Sequence, residues 1–326
     1  MLRRSEVWEL EEVEVEEVSL CPALPVMHKL MHLPQGHLPC LFNGTKEGSA
    51  RLLDENCGIS TIDDTEGHIH DGSKTTIQEN PWMVMISIKN DVSFDFACGG
   101  TLITKRLVLS AAHCILYEDT YLHLGDYLII DPPPDPIKMY NLTVDMKFIH
   151  RDYKGSIVDK SRKFDIGMFR MKEEVTYSDY VRPICIPVDK KIIQAEKFNI
   201  TGWGKTKQEP PAIRILHIGT VFPLNSSSCD IKYNITTDQS QICFASNFIG
   251  SCKGDSGGPL SSMHGNRTYQ YGVVSFASDN CTTGSSIGVV TNVAHYMQWI
   301  ENVIEVSETQ YPGNSGFWHK ISIIPL

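Results

Sequence analysis

Between Pro81 and Val290 the apolar residues come in short runs, rich in β-branched side chains and bounded by turn formers. Met83-Val84-Met85-Ile86-Ser87-Ile88, Leu107-Val108-Leu109-Ser110, Tyr271-Gly272-Val273-Val274-Ser275-Phe276 and Ile287-Gly288-Val289-Val290 each have the length of one strand. Pro132-Pro133-Pro134-Asp135-Pro136 marks a surface loop, because proline cannot donate to a sheet ladder. The helical signal lies after these runs. Val293, Tyr296, Met297, Ile300, Val303 and Ile304 fall on one face of a 3.6-residue repeat. Many short strands followed by one C-terminal helix predict an all-β fold, as barrels or a sandwich. Before Asn80 there is little periodicity, and residues 307–326 read as a tail.

The chain has 326 residues, and its 41 % apolar share is enough for a packed core. Its net charge of −10 is unevenly placed. Residues 1–68 hold 13 acidic and five basic side chains, a net −8, whereas the other 258 hold 24 basic against 26 acidic, a net −2. An acidic leader thus precedes a nearly neutral body. No nucleic acid is expected as a partner, since that requires clustered Lys and Arg. No membrane span is expected either, since no stretch approaches the ~20 apolar residues one requires.

Ten cysteines and seven glycosylation sequons (Asn43, Asn141, Asn199, Asn225, Asn234, Asn266, Asn280) predict a secreted, extracellular glycoprotein with disulfide bonds. The N-terminus does not fit that expectation. Arg3 and Arg4 lead into a Glu run, without the apolar stretch of a signal peptide. The expectation is that this leader is a wrongly assembled start and is no part of the mature chain. Cys21 and Cys40 lie in it with His28, His32 and His37, at spacings that match no standard zinc finger, so no metal is expected.

Three local patterns carry chemistry: Leu109-Ser110-Ala111-Ala112-His113-Cys114, Phe164-Asp165-Ile166-Gly167-Met168 and Gly254-Asp255-Ser256-Gly257-Gly258-Pro259. Singly, a His or Asp is most often structural. In the order His, Asp, Ser they supply what a hydroxyl nucleophile needs. A base takes the serine proton, and a buried carboxylate holds the imidazole tautomer and the imidazolium that forms. Glycines around Ser256 let backbone N–H groups approach a developing oxyanion. Gly254-Asp255-Ser256-Gly257-Gly258 also fits the nucleophile elbow of α/β-hydrolases, but that fold places Asp and His after the Ser.

With these motifs the sequence resembles the chymotrypsin-like, trypsin-fold serine proteases, from about Cys57 to about Val306. It most resembles secreted arthropod members without a clip domain, because too few cysteines precede Cys57 for a six-cysteine clip module. The resemblance implies two six-stranded antiparallel β-barrels with the site between them. The expected organisation is a leader or propeptide over 1–68, a protease domain over 69–306 and a tail over 307–326. His113 is implied as general base and acid, Asp165 as its orienter and Ser256 as nucleophile, with the Gly254 and Ser256 N–H groups as oxyanion hole. Gly202-Trp203-Gly204 matches the turn opening the second barrel. Ser275-Phe276-Ala277 matches the strand that aligns substrate, where Ser-Trp-Gly is usual. The family pattern implies disulfides Cys57–Cys185, Cys98–Cys114, Cys229–Cys243 and Cys252–Cys281, the first of which would keep a cleaved leader attached.

Gly250, with Ser251 beside it, stands where the family floors its primary pocket. Trypsin-like members place Asp there to meet Lys or Arg. With Ala277 and Gly288 as small walls, the implied pocket is open and uncharged and favours large apolar or aromatic residues. Family zymogens are cut before a segment whose new ammonium pairs with the Asp beside the nucleophile. Here that segment is Ile69-His70-Asp71-Gly72 and the Asp is Asp255, but His68 replaces the usual Arg or Lys. The expected function is a secreted serine endopeptidase, a hydrolase made as a zymogen, monomeric and without cofactor. Its expected partners are protein or peptide substrates, an upstream activating protease and serpin-type inhibitors. The alternative, which His68 favours, is a non-activated homologue acting as a binding or cofactor protein.

Overall fold

The apolar runs are short because each crosses the wall of a barrel once. The computed structural model describes residues 54–61, 73–89, 94–115, 119–125, 140–186, 195–204, 215–246, 255–277, 286–309 and 320–324. The readings that fall on the leader up to residue 53, with Cys21 and Cys40, on His68 and Ile69, on the proline loop and on Gly250, Ser251 and Gly254 lie outside the described residues. So does the Cys252–Cys281 pair.

In chain order the strands are β1 (Ser73–Lys74), β2 (Met83–Lys89), β3 (Phe94–Leu102), β4 (Leu107–Ser110), β5 (Thr120–Leu124), β6 (Tyr140–His150) and β7 (Gly167–Met171). They continue with β8 (Phe198–Gly202), β9 (His217–Leu224), β10 (Gln241–Ser246), β11 (Pro259–His264), β12 (Arg267–Ala277), β13 (Ser286–Asn292) and β14 (Lys320–Ile324). The helices are α1 (Ala112–Ile115), α2 (Gly155–Val158), α3 (Ser226–Tyr233) and α4 (Met297–Thr309), the last preceded by a 3-10 turn at Val293–Tyr296.

Six antiparallel strands close the first barrel in the order β6-β5-β2-β3-β4-β7, with β7 pairing back to β6. Six close the second in the order β9-β10-β13-β12-β11-β8, with β8 pairing back to β9. Closure removes the open edges that would otherwise invite pairing with another chain. The expected runs at Met83, Leu107, Tyr271 and Ile287 are β2, β4, β12 and β13.

The C-terminal segment holds more structure than a tail. α4 runs on to Thr309, and β14 pairs in parallel with Met146–His150 of β6. β5 covers β6 only over Tyr140–Thr143 and β7 takes its other side, so β14 fills the edge that β5 leaves open.

α4 follows the second barrel but packs on the core of the first. Trp299, Ile300 and Val303 are fully buried in that cluster, and Arg170 of β7 donates to the Ser307 carbonyl at 2.8 Å. Three disulfides agree with the implied pairing: Cys57–Cys185, Cys98–Cys114 and Cys229–Cys243. The latter two close loops of 16 and 14 residues, for which restriction of the unfolded chain is worth about 3 kcal/mol each.

Under α4 lies His150, 1 % exposed. Its ring stacks on Phe164 at 4.8 Å and meets Tyr296 and Trp299 at 5.4 and 5.8 Å. Nδ1 accepts the Asp152 N–H at 3.2 Å. Burial pushes its pKa down to about 4, against the opposing pull of Asp152. The folded value lies below the unfolded one, near 6.5. The unfolded chain therefore binds the proton first, and stability falls as pH drops from about 6.5 to about 4. At about 1.4 kcal/mol per pH unit, His150 should account for on the order of 3 kcal/mol of lost stability over that window. Urea unfolding across this window should show a shallower slope in His150→Asn than in wild type, whatever the variant's stability at pH 7. Equal slopes would remove His150 as the titrating group.

Candidate active site

A buried carboxylate organises the cleft between the barrels. Asp165 follows Phe164, whose φ of +62 lies in the left-handed region that bulky residues rarely adopt. The strained turn is braced from α4's approach, since the Tyr296 hydroxyl accepts the Phe164 N–H at 3.2 Å. The Asp165 side chain is fully buried. Its Oδ1 accepts the His113 backbone N–H at 3.0 Å, and its Oδ2 meets His113 Nδ1 at 2.8 Å. Ser275 of β12 donates its hydroxyl to Oδ2 at 2.5 Å, and Thr291 of β13 donates to the Asp165 carbonyl at 2.8 Å. Burial by itself would raise the carboxyl's pKa. The His113 charge and the hydrogen bonds from His113 and Ser275 outweigh it and hold the value below the usual carboxylate range.

α1 is one turn whose Ala112, Cys114 and Ile115 are completely buried, so only His113 reaches the cleft, with 22 % of its side chain exposed. Nδ1 facing a carboxylate carries the ring proton, which leaves Nε2 as the acceptor. The Cys98–Cys114 disulfide ties this turn to β3. The ligand-type atoms of Cys98, His113 and Cys114 lie within 4.8 Å of one another. Because both sulfurs are joined in the disulfide, no thiolate is left for a metal.

Ser256 sits in a turn stitched to both barrels. Its carbonyl accepts the Gly99 N–H of β3 at 2.8 Å, and the next residue's N–H bonds Val274 of β12 at 2.8 Å. Gly257, at φ +80, has to be glycine. A Cβ there would lie 2.2 Å from Ser110 Oγ, 2.4 Å from the Gly99 carbonyl and 3.2 Å from Cys114 Sγ. The absent side chain is what lets the Ser256 turn close on the segment that carries His113.

Asp255 is 5 % exposed, with Oδ1 accepting the Gly204 N–H at 2.9 Å. A Cβ at Gly202 or Gly204 would come within 2.3 or 2.5 Å of its carboxylate oxygens, so the Gly202-Trp203-Gly204 turn is its cradle.

Of the expected pocket residues, Ser275 is buried on Asp165, while Phe276 and Ala277 are half-buried beyond it. Gly288 stands opposite Ala277 in register and under Phe244, whose ring would lie 2.3 Å from a Cβ. Thr291 stands in no motif and Tyr296 reads only as part of an apolar helical face, whereas Ser110 belongs to the His113 motif and bonds the Gly99 carbonyl at 2.9 Å.

The Trypsin family model matches residues 69–300. CLIP domain-containing serine protease B4 of Anopheles gambiae is 31 % identical over 287 residues, covering 82 % of this chain and 78 % of that protein. Spaetzle-processing enzyme of Drosophila melanogaster is 32 % identical over 302 residues, covering 82 % and 73 %. The crystal structure of Drosophila Grass, a clip serine protease of the Toll pathway, superposes with a TM-score of 0.68 at 25 % identity, over 80 % of this chain and 78 % of that one. By its sequence, its two closed barrels and these relatives, the chain belongs to the trypsin family of serine proteases.

Proposed function

We propose that this chain is a secreted serine endopeptidase, made as a zymogen, that cleaves peptide bonds through His113, Asp165 and Ser256. The observation that carries the reading is the His113–Asp165 pair. Both carboxylate oxygens are bonded to His113, and its ring remains partly open to the cleft. Ser256 Oγ attacks the scissile carbonyl while His113 Nε2 takes its proton. Asp165 stabilises the imidazolium, which then protonates the leaving amine. Water repeats the sequence on the acyl-enzyme and frees Ser256. The Gly254 and Ser256 N–H groups would hold the oxyanion.

Cleavage between His68 and Ile69 would free an ammonium for Asp255. The leader stub would stay attached through Cys57–Cys185. Arg267 adds bonds to the Glu55 and Cys57 carbonyls at 2.8 and 2.7 Å, and Tyr177 adds one to Asp54 at 2.7 Å. Relatives named Spaetzle-processing enzyme and Phenoloxidase-activating factor 1 support a protein substrate and a place in a proteolytic cascade. No helix among the described residues is long and apolar enough to cross a membrane.

A serine-directed phosphonate should label Ser256 after limited proteolysis and label it weakly before. Absence of label under every cleavage condition would leave only the inactive homologue that His68 favours. Asp165→Asn should lower kcat by roughly 10³- to 10⁴-fold, because the amide cannot hold the productive tautomer; loss of less than tenfold in steady-state assays would refute the role of Asp165. A peptide-library digest should show cleavage after large apolar or aromatic residues, since Gly250 offers no counter-charge, and cleavage after Arg or Lys would contradict that pocket.

A further inference from the structure

Arg162 lies three residues before Asp165, half-buried and at φ +50. Its guanidinium crosses from the first barrel to β12 of the second. Nη1 donates to the Ser275 carbonyl at 3.3 Å, and the group lies 5.2 Å from the centre of the Phe276 ring. Neighbouring charges are otherwise engaged. Lys163 pairs with Asp238 at 2.8 Å, and Asp159 Oδ1 takes the N–H and hydroxyl of Ser161 at 2.9 and 2.5 Å. Arg162 itself has no carboxylate partner among the described residues.

A guanidinium has five N–H donors in a planar fork that fits the two oxygens of a carboxylate. Here its hydrogen bond to the Ser275 carbonyl, a neutral acceptor, is slightly longer than the normal range. A partly desolvated cation in that state strongly favours an anion, because a charge-assisted pair is shorter and stronger than the bond it would replace. The group that Arg162 covers is a main-chain acceptor of the strand Ser275-Phe276-Ala277, along which substrate is expected to lie.

We propose that Arg162 forms a subsite for an acidic side chain of the substrate, Asp or Glu, within three residues of the scissile bond on its amino side. This rests on the protease reading above. The carboxylate draws the guanidinium off the Ser275 carbonyl, and that acceptor becomes free for a substrate N–H. Phe276 continues to flank the cation. Its ring stands where the family usually has Trp, and it supplies a π-face for the guanidinium. Recognition of the acid and opening of the backbone acceptor are thus one event.

The test uses the full chain, before and after limited proteolysis, in two forms. Ser256→Ala reports binding of fluorescent peptides without cleavage, and wild type reports turnover. Peptides carry Asp, Gln or Lys at each of the three positions before an apolar cleaved residue. At one position Asp should be favoured over Gln by about tenfold in both readouts, and the preference should shrink when salt is raised to about 0.5 M. Arg162→Gln should bring the ratio near one, and Arg162→Glu should turn it toward Lys. Turnover by wild type with no preference for Asp at any position overturns the subsite and leaves the protease reading standing. Asp-selective binding to the Ser256→Ala form without turnover by wild type does the reverse. Failure to bind or cleave any peptide overturns both.

Discussion

Asp165 is a charge in a place where a charge is expensive. Taking an ionised carboxylate out of water costs several kcal/mol unless its oxygens are fully bonded. The bonds that meet this cost come from both halves of the molecule. His113 supplies two from the first barrel, and Ser275 supplies one from the second. Thr291, also in the second barrel, holds the residue's own carbonyl. The two barrels can satisfy the carboxylate only in one relative position. That position also aims the imidazole at the cleft, so the geometry of the site and the docking of the barrels are fixed by the same electrostatic requirement.

Other contacts between the halves have the same polar character. Thr101 of β3 donates to the Gln270 side chain of β12 at 2.6 Å. Gln241 of β10 donates to the Ser161 carbonyl at 2.7 Å. The apolar residues, by contrast, gather largely into separate clusters, one in the first barrel with α4 and another inside the second barrel. Burial holds each barrel together but has no direction, whereas hydrogen bonds fix angle and register. A cleft lined by directional bonds is suited to holding reacting groups at set distances, which is what preorganised catalysis requires.

The strands most legible in the sequence were those with dense β-branched runs, β2, β4, β12 and β13. β14 was not legible, because its partner β6 lies about 170 residues away and nothing local marks the open edge it covers. The same distinction applies to the site. His113, Asp165 and Ser256 stand in motifs whose neighbours are constrained by close approach, as Gly257 is by Ser110 and Gly99. Thr291 and Tyr296 act on the Asp165 turn from 126 and 132 residues away. Arg162 was equally silent, since its meaning comes from a carbonyl 113 residues distant and from a ring it happens to meet. Motifs record local steric necessity, whereas long-range hydrogen bonds leave no pattern in a single sequence.

The acidic bias of the leader and the near neutrality of the body bear on the proposed activation in a specific way. The leader's last described residues are held by a disulfide, by the Arg267 side chain on two main-chain carbonyls and by Tyr177 on the Asp54 carboxylate. Cutting after His68 would therefore relieve the chain beyond the stub without releasing it. What the cut would change lies at Asp255. Its carboxylate already rests against two glycines and accepts a backbone N–H. A new ammonium brought there would add a full opposite charge in a buried setting, where attraction is far stronger than in water. Because Asp255 stands between Gly254 and Ser256 in the chain, a partner it held would bear, on the proposed activation, on the backbone proposed to supply the oxyanion donors. On that proposal the residue at position 68 would govern which protease makes the cut, and the Gly202–Gly204 turn would carry the response to it.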